Sequence, residues 1–541
     1  MKIDEKMINA PFQAKKHQLF TAVAGVFLLF LLTFQTFAQS ELKIDPMMLI
    51  SVKECRNITK SLGGKLYPGW HFEQTPILFY RPGVQEILIN FPHQPKGYQI
   101  LKGSNLLGNE TIYFRDNETV FDQDDQNTTT ENEGIRVLVV ADTFSRMRNQ
   151  LQFIANSSDQ KVKDEWLKNW NFISSPYDEM EMILHESFHV YQDTKAPKKN
   201  ADEGVIARYP VLDPVNNALY VLEGNIIKDA LLTTDKSLRR EKIKEFTAVR
   251  SFRQSRLEKD LVEYENLNEF KEGLAKYVEY KFLQDGENIT PVSEMWYRNG
   301  FHGYKGELPK LFEKVLQNMV KIIAVDDDRF GNKYGSGPLR FKLYDLGAAQ
   351  ALMLEDVIPS WKETIFNDKI YLSDLLKQSL NFSAGEQAKY LEKAKSEYNY
   401  EQALQNKIKF ETEGKQKIQE KLDAILKTKN TLVKINFGTV SNEFGIGYTP
   451  FGVTNVGKNA AIYEMVPIGI RFKKGVVLQM KQPIPVLIDK DTATVIFAIA
   501  TDAAKFEIGI KEAIEVDEFS LKGAKSEIKR DGNKVEINLY Q

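Results

Sequence analysis

Apolar and polar positions repeat with two different periods along this chain, and the changes of period mark out its elements. From about 41 to 66 the spacing of Met48, Leu49, Val52 and Ile58 predicts a helix that Gly63-Gly64 ends. Two short apolar runs follow at 76–80 and 86–91, and the turn residues Arg81-Pro82-Gly83 between them predict a hairpin. A further strand is expected at 136–141 and the start of a helix at 144–156. After Ser175-Pro176, Ser175 or Asp178 can cap, Glu179 and Glu181 suit a first turn, and Met180, Ile183, Leu184, Phe188 and Tyr191 form one buried stripe, which predicts a core helix. Helices are also expected at 216–232, at 237–266 and, heavily charged, from 386 to about 427. Beyond about Thr431 the period becomes that of strands. Val- and Ile-rich runs occupy 459–472, 475–488, 492–500 and 505–510, and Asp531-Gly532 centres a hairpin with Val535, Ile537 and Leu539 on one face.

The expected architecture is therefore α+β. An N-terminal α/β part (39–160) contributes a sheet whose free edge suits an extended substrate, a helical part (161–430) carries the chemistry, and a C-terminal all-β domain (431–541), a sandwich or small barrel, has a structural role. A length of 541 residues fits two or three such units.

The start of the chain departs from this pattern. Lys15-Lys16 precede an apolar run at 19–34, and Thr36-Phe37-Ala38 then offer a small-residue cleavage site, so 1–38 is expected to be a signal peptide cut after Ala38. An uncleaved anchor is the competing reading of the same run. No later segment has the length of apolar sequence needed to span a bilayer, so the cleaved protein is expected in the periplasm or outside the cell, without a stable membrane span. Cys55 is the only cysteine, which excludes an internal disulfide and favours a bacterial envelope or secreted protein. The formal charge of −2 provides no basic face for nucleic acid. The acidic stretch 115–134 is expected to be a surface loop; read as a calcium loop from Asp122, it has Asn127 where glycine is required.

The core helix carries the chemistry. His185-Glu186-Ser187-Phe188-His189 places two imidazoles one turn apart on a single face, where they can share a zinc ion, and sets Glu186 beside it as a general base for water. Six histidines among 541 residues make an accidental pattern of this kind rare, roughly 0.01 per chain. A catalytic zinc needs a third protein ligand. A metzincin continuation would place Gly and His where Gln192 and Lys195 stand, which leaves carboxylates on later helices, Glu223 and Glu272. The row Arg250, Arg253 and Arg256 is expected on a solvated face or paired with nearby acids such as Glu258 and Asp260.

With these residues in view, 175–360 resembles the gluzincin metallopeptidases, distantly the aminopeptidase N-like and glycyl aminopeptidase-like members. In those families the HExxH helix is followed by a motif of the type Asn-Glu-Gly-Phe-Ala-x-Tyr-x-Glu, whose first Glu completes the zinc site. Lys271-Glu272-Gly273-Leu274-Ala275-Lys276-Tyr277-Val278-Glu279 is similar to it, with Lys for Asn and Leu for Phe. A later Tyr-x-x-Gly, whose phenol stabilises the oxyanion, is matched by Tyr344-Asp345-Leu346-Gly347. The resemblance implies a zincin-like body and a zinc metallopeptidase acting on peptide or protein substrates, with His185, His189 and Glu272 on zinc, Glu186 as base and Tyr344 as oxyanion donor. Aminopeptidase N-like members place the third ligand much closer to the second His, so here the helices at about 200–266 form an insertion and Glu223 stays an alternative ligand. The Gly-x-Met-Glu-Asn stretch that recognises a free amino terminus is missing, so aminopeptidase specificity is not implied. His302 is a further candidate donor to the transition state. A non-catalytic binding protein that keeps the fold, or a zinc hydrolase of a non-peptide bond, are the competing functions.

Overall fold

A computed structural model of the chain describes residues 42–45, 47–81, 83–101, 111–116, 128–141, 175–324, 332–438, 444–472 and 475–540. The expected signal peptide 1–38, the helix start at 144–156 and the middle of the acidic stretch lie outside them. The fold is α+β, with an N-terminal sheet, a helical middle and a C-terminal all-β sheet.

The first helix, Met47–Leu62, buries Met48, Leu49, Val52 and Ile58 and ends where Gly63 takes a left-handed φ of 51°. It packs against the HExxH helix, Pro176–Lys195. The N-terminal sheet has the order β3-β4-β2-β1-β6-β5: β1 (Ile77–Arg81), β2 (Gln85–Ile89), β3 (Gln99–Ile100), β4 (Ile112–Asp116), β5 (Thr128–Asn132) and β6 (Ile135–Ala141). The hairpin read from Arg81-Pro82-Gly83 closes with Arg81 opposite Gln85. β6 joins parallel to β1, and β5 is the edge strand on the side packed against the HExxH helix. Asp193 near the end of that helix ties three elements together, since it pairs with Arg136 of β6 at 2.7 Å and with Lys271.

Two helices in the middle start where a capping side chain meets proline. Ser175 accepts from the Asp178 N–H ahead of Pro176–Lys195, and Asp213 accepts from the Asn216 N–H ahead of Pro214–Leu232. The helix expected at 237–266 is two helices, Lys236–Gln254 and Lys259–Asn268. Leu261 and Tyr264 of the second helix are buried in the core. The second helix runs through a π turn, Glu269–Gly273, into Leu274–Asp285.

Two of the three arginines in the row differ from expectation, while Arg256 is exposed as expected. Arg250 and Arg253 are buried and bind acids from elsewhere in the core: Arg250 meets Glu269 at 2.5 Å, and Arg253 meets Glu223 at 2.6 Å and Glu265 at 2.7 Å. Glu258 and Asp260 pair instead with Arg208. Five ionisable groups are thus taken out of water together, which is tolerable only because each has an opposite partner.

The C-terminal strands are β7 (Thr431–Asn436), β8 (Phe444–Gly447), β9 (Val453–Gly457), β10 (Ala460–Tyr463), β11 (Gly469–Phe472), β12 (Val477–Met480), β13 (Val486–Asp489), β14 (Thr494–Ile499), β15 (Gly509–Glu515), β16 (Phe519–Asp531) and β17 (Lys534–Tyr540). They form one hydrogen-bonded path, β8-β11-β12-β16-β17-β7-β14-β13-β10-β9, with β15 on β16. β16 (Phe519–Asp531) pairs with β12 through its first half and with β17 through its second, and Gly523, at φ 89°, lies between the two. Ile425 of the long helix Tyr400–Leu426 covers Ile462 and Leu487 on one face. The sheet also reaches the helical part. The Ser336 N–H donates to Val453 O at 2.8 Å at the start of helix Gly337–Val357, and the Tyr448 hydroxyl donates to Glu203 O at 2.6 Å.

Candidate metal centre

The HExxH helix buries Met180, Ile183, Leu184 and Phe188, which turns His185 and His189 toward the helix that follows the π turn. Their imidazoles lie at 88° to one another with centroids 4.8 Å apart. Between them comes the carboxylate of Glu272, whose Oε2 is 3.5 Å from His185 Nε2 and 3.4 Å from His189 Nε2. These separations are long for N–H···O hydrogen bonds, which cluster near 2.9–3.0 Å. They match the roughly 3.3 Å between neighbouring ligands of a tetrahedral ion with bonds of about 2.0–2.1 Å. Among the described residues, His185, His189 and Glu272 are the group of three donors that could hold a metal.

The outer nitrogens are also engaged. His185 Nδ1 donates to Glu279 Oε1 at 2.6 Å, and His189 Nδ1 to Gln192 Oε1 at 2.8 Å. With each Nδ1 donating outward, Nε2 is the nitrogen turned to the shared point, and it offers a lone pair to a metal once it gives up its proton. Gln192 does a second thing: its Nε2 donates to Phe270 O at 2.7 Å and Lys271 O at 3.0 Å. Those carbonyls belong to the π turn, so one side-chain amide contacts both His189 and the turn that carries Glu272.

Burial alone would depress the His185 imidazolium, but the Glu272 and Glu279 carboxylates outweigh it and hold its pKa up at about 10. Burial likewise works against an ionised Glu272, yet His189, His185 and Arg340 keep its carboxyl well below the usual range. For Glu186 burial wins over the two histidines and its pKa rises. His185 therefore lies between the Glu272 and Glu279 carboxylates. A borderline cation that takes nitrogen and oxygen donors, such as zinc, fits the donor set of His185, His189 and Glu272.

Glu186 and Tyr344 line the same cleft, about 950 Å³ in volume, whose far wall is Val315, Met319 and Ile322 of helix Glu307–Ala324. The Tyr344 ring runs nearly parallel to the His185 imidazole, at 23°, with centroids 6.4 Å apart. The structure thus brings together His185, Glu186, His189, Glu272 and Tyr344. It does not bring Glu223, which is fully buried and held by Arg253 and Arg250. Nor does it bring His302, which is exposed on a loop and gives only its backbone N–H, to the Tyr177 hydroxyl at 3.0 Å.

Sequence reading passed over Glu279, Gln192 and Arg340. The signal for each was its spacing on a helix: Glu279 lies two turns beyond Glu272, Gln192 nearly one turn beyond His189, and Arg340 one turn before Tyr344. Compared with known proteins, the chain matches no family model, no curated protein and no solved structure.

Proposed function

We propose that this protein is an exported zinc-dependent metallopeptidase of gluzincin type. The observation that supports the reading most is the convergence of two imidazole Nε2 atoms and the Glu272 carboxylate on one point, with Glu186 and Tyr344 facing the same cleft. His185, His189 and Glu272 would hold the ion. Zinc bound there would supply Lewis-acid polarisation of the substrate carbonyl and lower the pKa of water. Glu186 takes the proton from the attacking water and returns it to the departing amine. Tyr344, a neutral donor, gives its hydroxyl proton as a hydrogen bond to the carbonyl oxygen while negative charge develops on it. Glu279 and Gln192 keep the imidazoles in the ligating tautomer. The cleft is large enough for several residues of extended peptide.

Metal analysis combined with a peptide library tests this. Purified protein is expected to carry one zinc per chain and to cleave peptides, and Glu186→Gln is expected to keep the zinc while losing about 10²–10⁴-fold in cleavage rate. Protein without zinc would sink the proposal. Zinc with hydrolysis of other bonds only would make the protein a different hydrolase, and zinc with no hydrolysis a binding protein.

Export forms a separate part of the reading. No helix among the described residues is long and apolar enough to cross a membrane. Cleavage after Ala38 is expected to give exported protein that begins at Gln39, as read by N-terminal sequencing; membrane-bound protein retaining 1–38 would favour an anchor instead.

A further inference from the structure

Arg340 stands one turn before Tyr344 on helix Gly337–Val357 and is only 6% exposed. Its Nη1 donates to Glu203 Oε1 at 3.0 Å and to the Asn268 side chain. Its Nη2 donates to the Tyr344 hydroxyl at 3.3 Å and lies 3.6 Å from Glu272 Oε1. The two oxygens of Glu272 therefore have separate surroundings: Oε2 faces the imidazoles and Oε1 faces the guanidinium.

A guanidinium has donors and no acceptor. The phenol oxygen of Tyr344 must accept from Arg340, so the phenol proton cannot point back at Arg340; the Glu272 carboxylate takes it as a hydrogen bond, and Tyr344 also lines the cleft. The same cation, by attracting Oε1, turns the Glu272 carboxylate so that one oxygen is left for the histidine side. Glu203 and Asn268 anchor the guanidinium from behind, and the Glu203 backbone is itself held by Tyr448 of the C-terminal sheet.

We propose that Arg340 is a positioning residue that sets the third metal ligand and the oxyanion donor together, by holding Glu272 to one-oxygen ligation and keeping the Tyr344 hydroxyl proton turned away from the guanidinium, toward Glu272 and the cleft. This rests on the metallopeptidase reading, and the two fail separately: zinc-free, inactive wild-type protein would defeat that reading, whereas the Arg340 proposal is decided by variants of a wild type that binds zinc. The first readout does not involve activity. Competition with a chromophoric chelator is expected to give Arg340→Gln a zinc affinity about 10–100-fold below wild type. The second is kinetic, at saturating zinc. Arg340→Gln is expected to lose kcat with KM unchanged, and Arg340→Gln combined with Tyr344→Phe is expected to be no slower than Tyr344→Phe alone, because both changes remove one donor. Unchanged zinc affinity, or losses that multiply in the double variant, would overturn the proposal. Should the glutamine variant fail to fold, Arg340→Lys keeps the buried charge but lacks the planar fork. It is then expected to lose kcat in the same non-additive way, whereas an arginine with a purely structural role would be rescued by lysine.

Discussion

Glu272→Ala is expected to leave a folded protein that no longer retains zinc, and Glu223→Ala is expected to do the reverse, losing stability while its folded fraction keeps the metal. The two glutamates look alike in sequence, each followed by glycine on a helix. Their surroundings decide between them. Glu272 is the only carboxylate that shares a point with both imidazoles among the described residues, and two neutral nitrogens hold zinc far more weakly than three donors do. Glu223 is fully buried. Its Oε1 accepts from Arg253 Nε at 2.6 Å, and its Oε2 lies 3.5 Å from Arg250 Nη1. Removing one member of a buried ionic network strands charge that cannot reach water, at a cost of about 3–5 kcal/mol. Metal analysis and denaturant unfolding of the two variants would separate the effects. The opposite pattern, with zinc kept in the Glu272 variant and lost from the Glu223 variant, would reverse the assignment.

The contrast between these glutamates also marks how far the sequence could be read. Helical spacing is local, so the HExxH helix, its buried stripe and its Ser175 cap are visible in a few consecutive residues. Recurring patterns carried Glu272 and Tyr344 to the site across long stretches of chain. Which acid a buried arginine meets is not local. Arg250 and Arg253 read as members of a charged surface row because nothing in their own helix reveals that Glu223, Glu265 and Glu269 wait on neighbouring helices. The same limit hid Gln192, whose residue type served only to exclude another family, although its amide joins His189 to the π turn. In the C-terminal part the strand Thr494–Ile499 and the hairpin at Asp531-Gly532 followed from alternation and turn residues, but the runs expected at 459–472 and 475–488 each hold two strands, and Thr431–Asn436, Phe444–Gly447 and Val453–Gly457 lay outside the expected runs. The parallel pairing of β7 (Thr431–Asn436) with β17 (Lys534–Tyr540) joins the two ends of the domain and left no local trace.

Gly347→Ala and Gly273→Ala are expected to damage stability and the metal centre together, because each glycine is where the other's helix passes. A Cβ on Gly347 would lie 2.4 Å from Glu269 O and 2.7 Å from Gly273 Cα, and one on Gly273 would lie 2.4 Å from Gly347 Cα. All of these neighbours are backbone, so no side chain can swing aside. Neither glycine has a left-handed φ, and both are kept for space rather than for conformational freedom. This gives a physical reason for the glycine in Glu272-Gly273 and in Tyr344-Asp345-Leu346-Gly347: the backbones touch so that the third ligand and the phenol share one cleft. Alanine would gain about 1 kcal/mol of helix propensity, and the overpacking it causes costs about 1–3 kcal/mol or more where backbone must move. The net result is a less stable protein whose two helices stand further apart. Zinc affinity and cleavage should both fall, since Glu272 separates from Arg340 and Tyr344 as the helices part. Gly385→Ala is the control: it also lies in a helix, its Cβ would meet nothing within 4 Å, and the same propensity gain should there leave stability unchanged or slightly raised. Thermal denaturation with and without a chelator, alongside zinc affinity, reads all three variants. Wild-type stability and zinc affinity in Gly347→Ala would show that the close approach of these helices is not what builds the site.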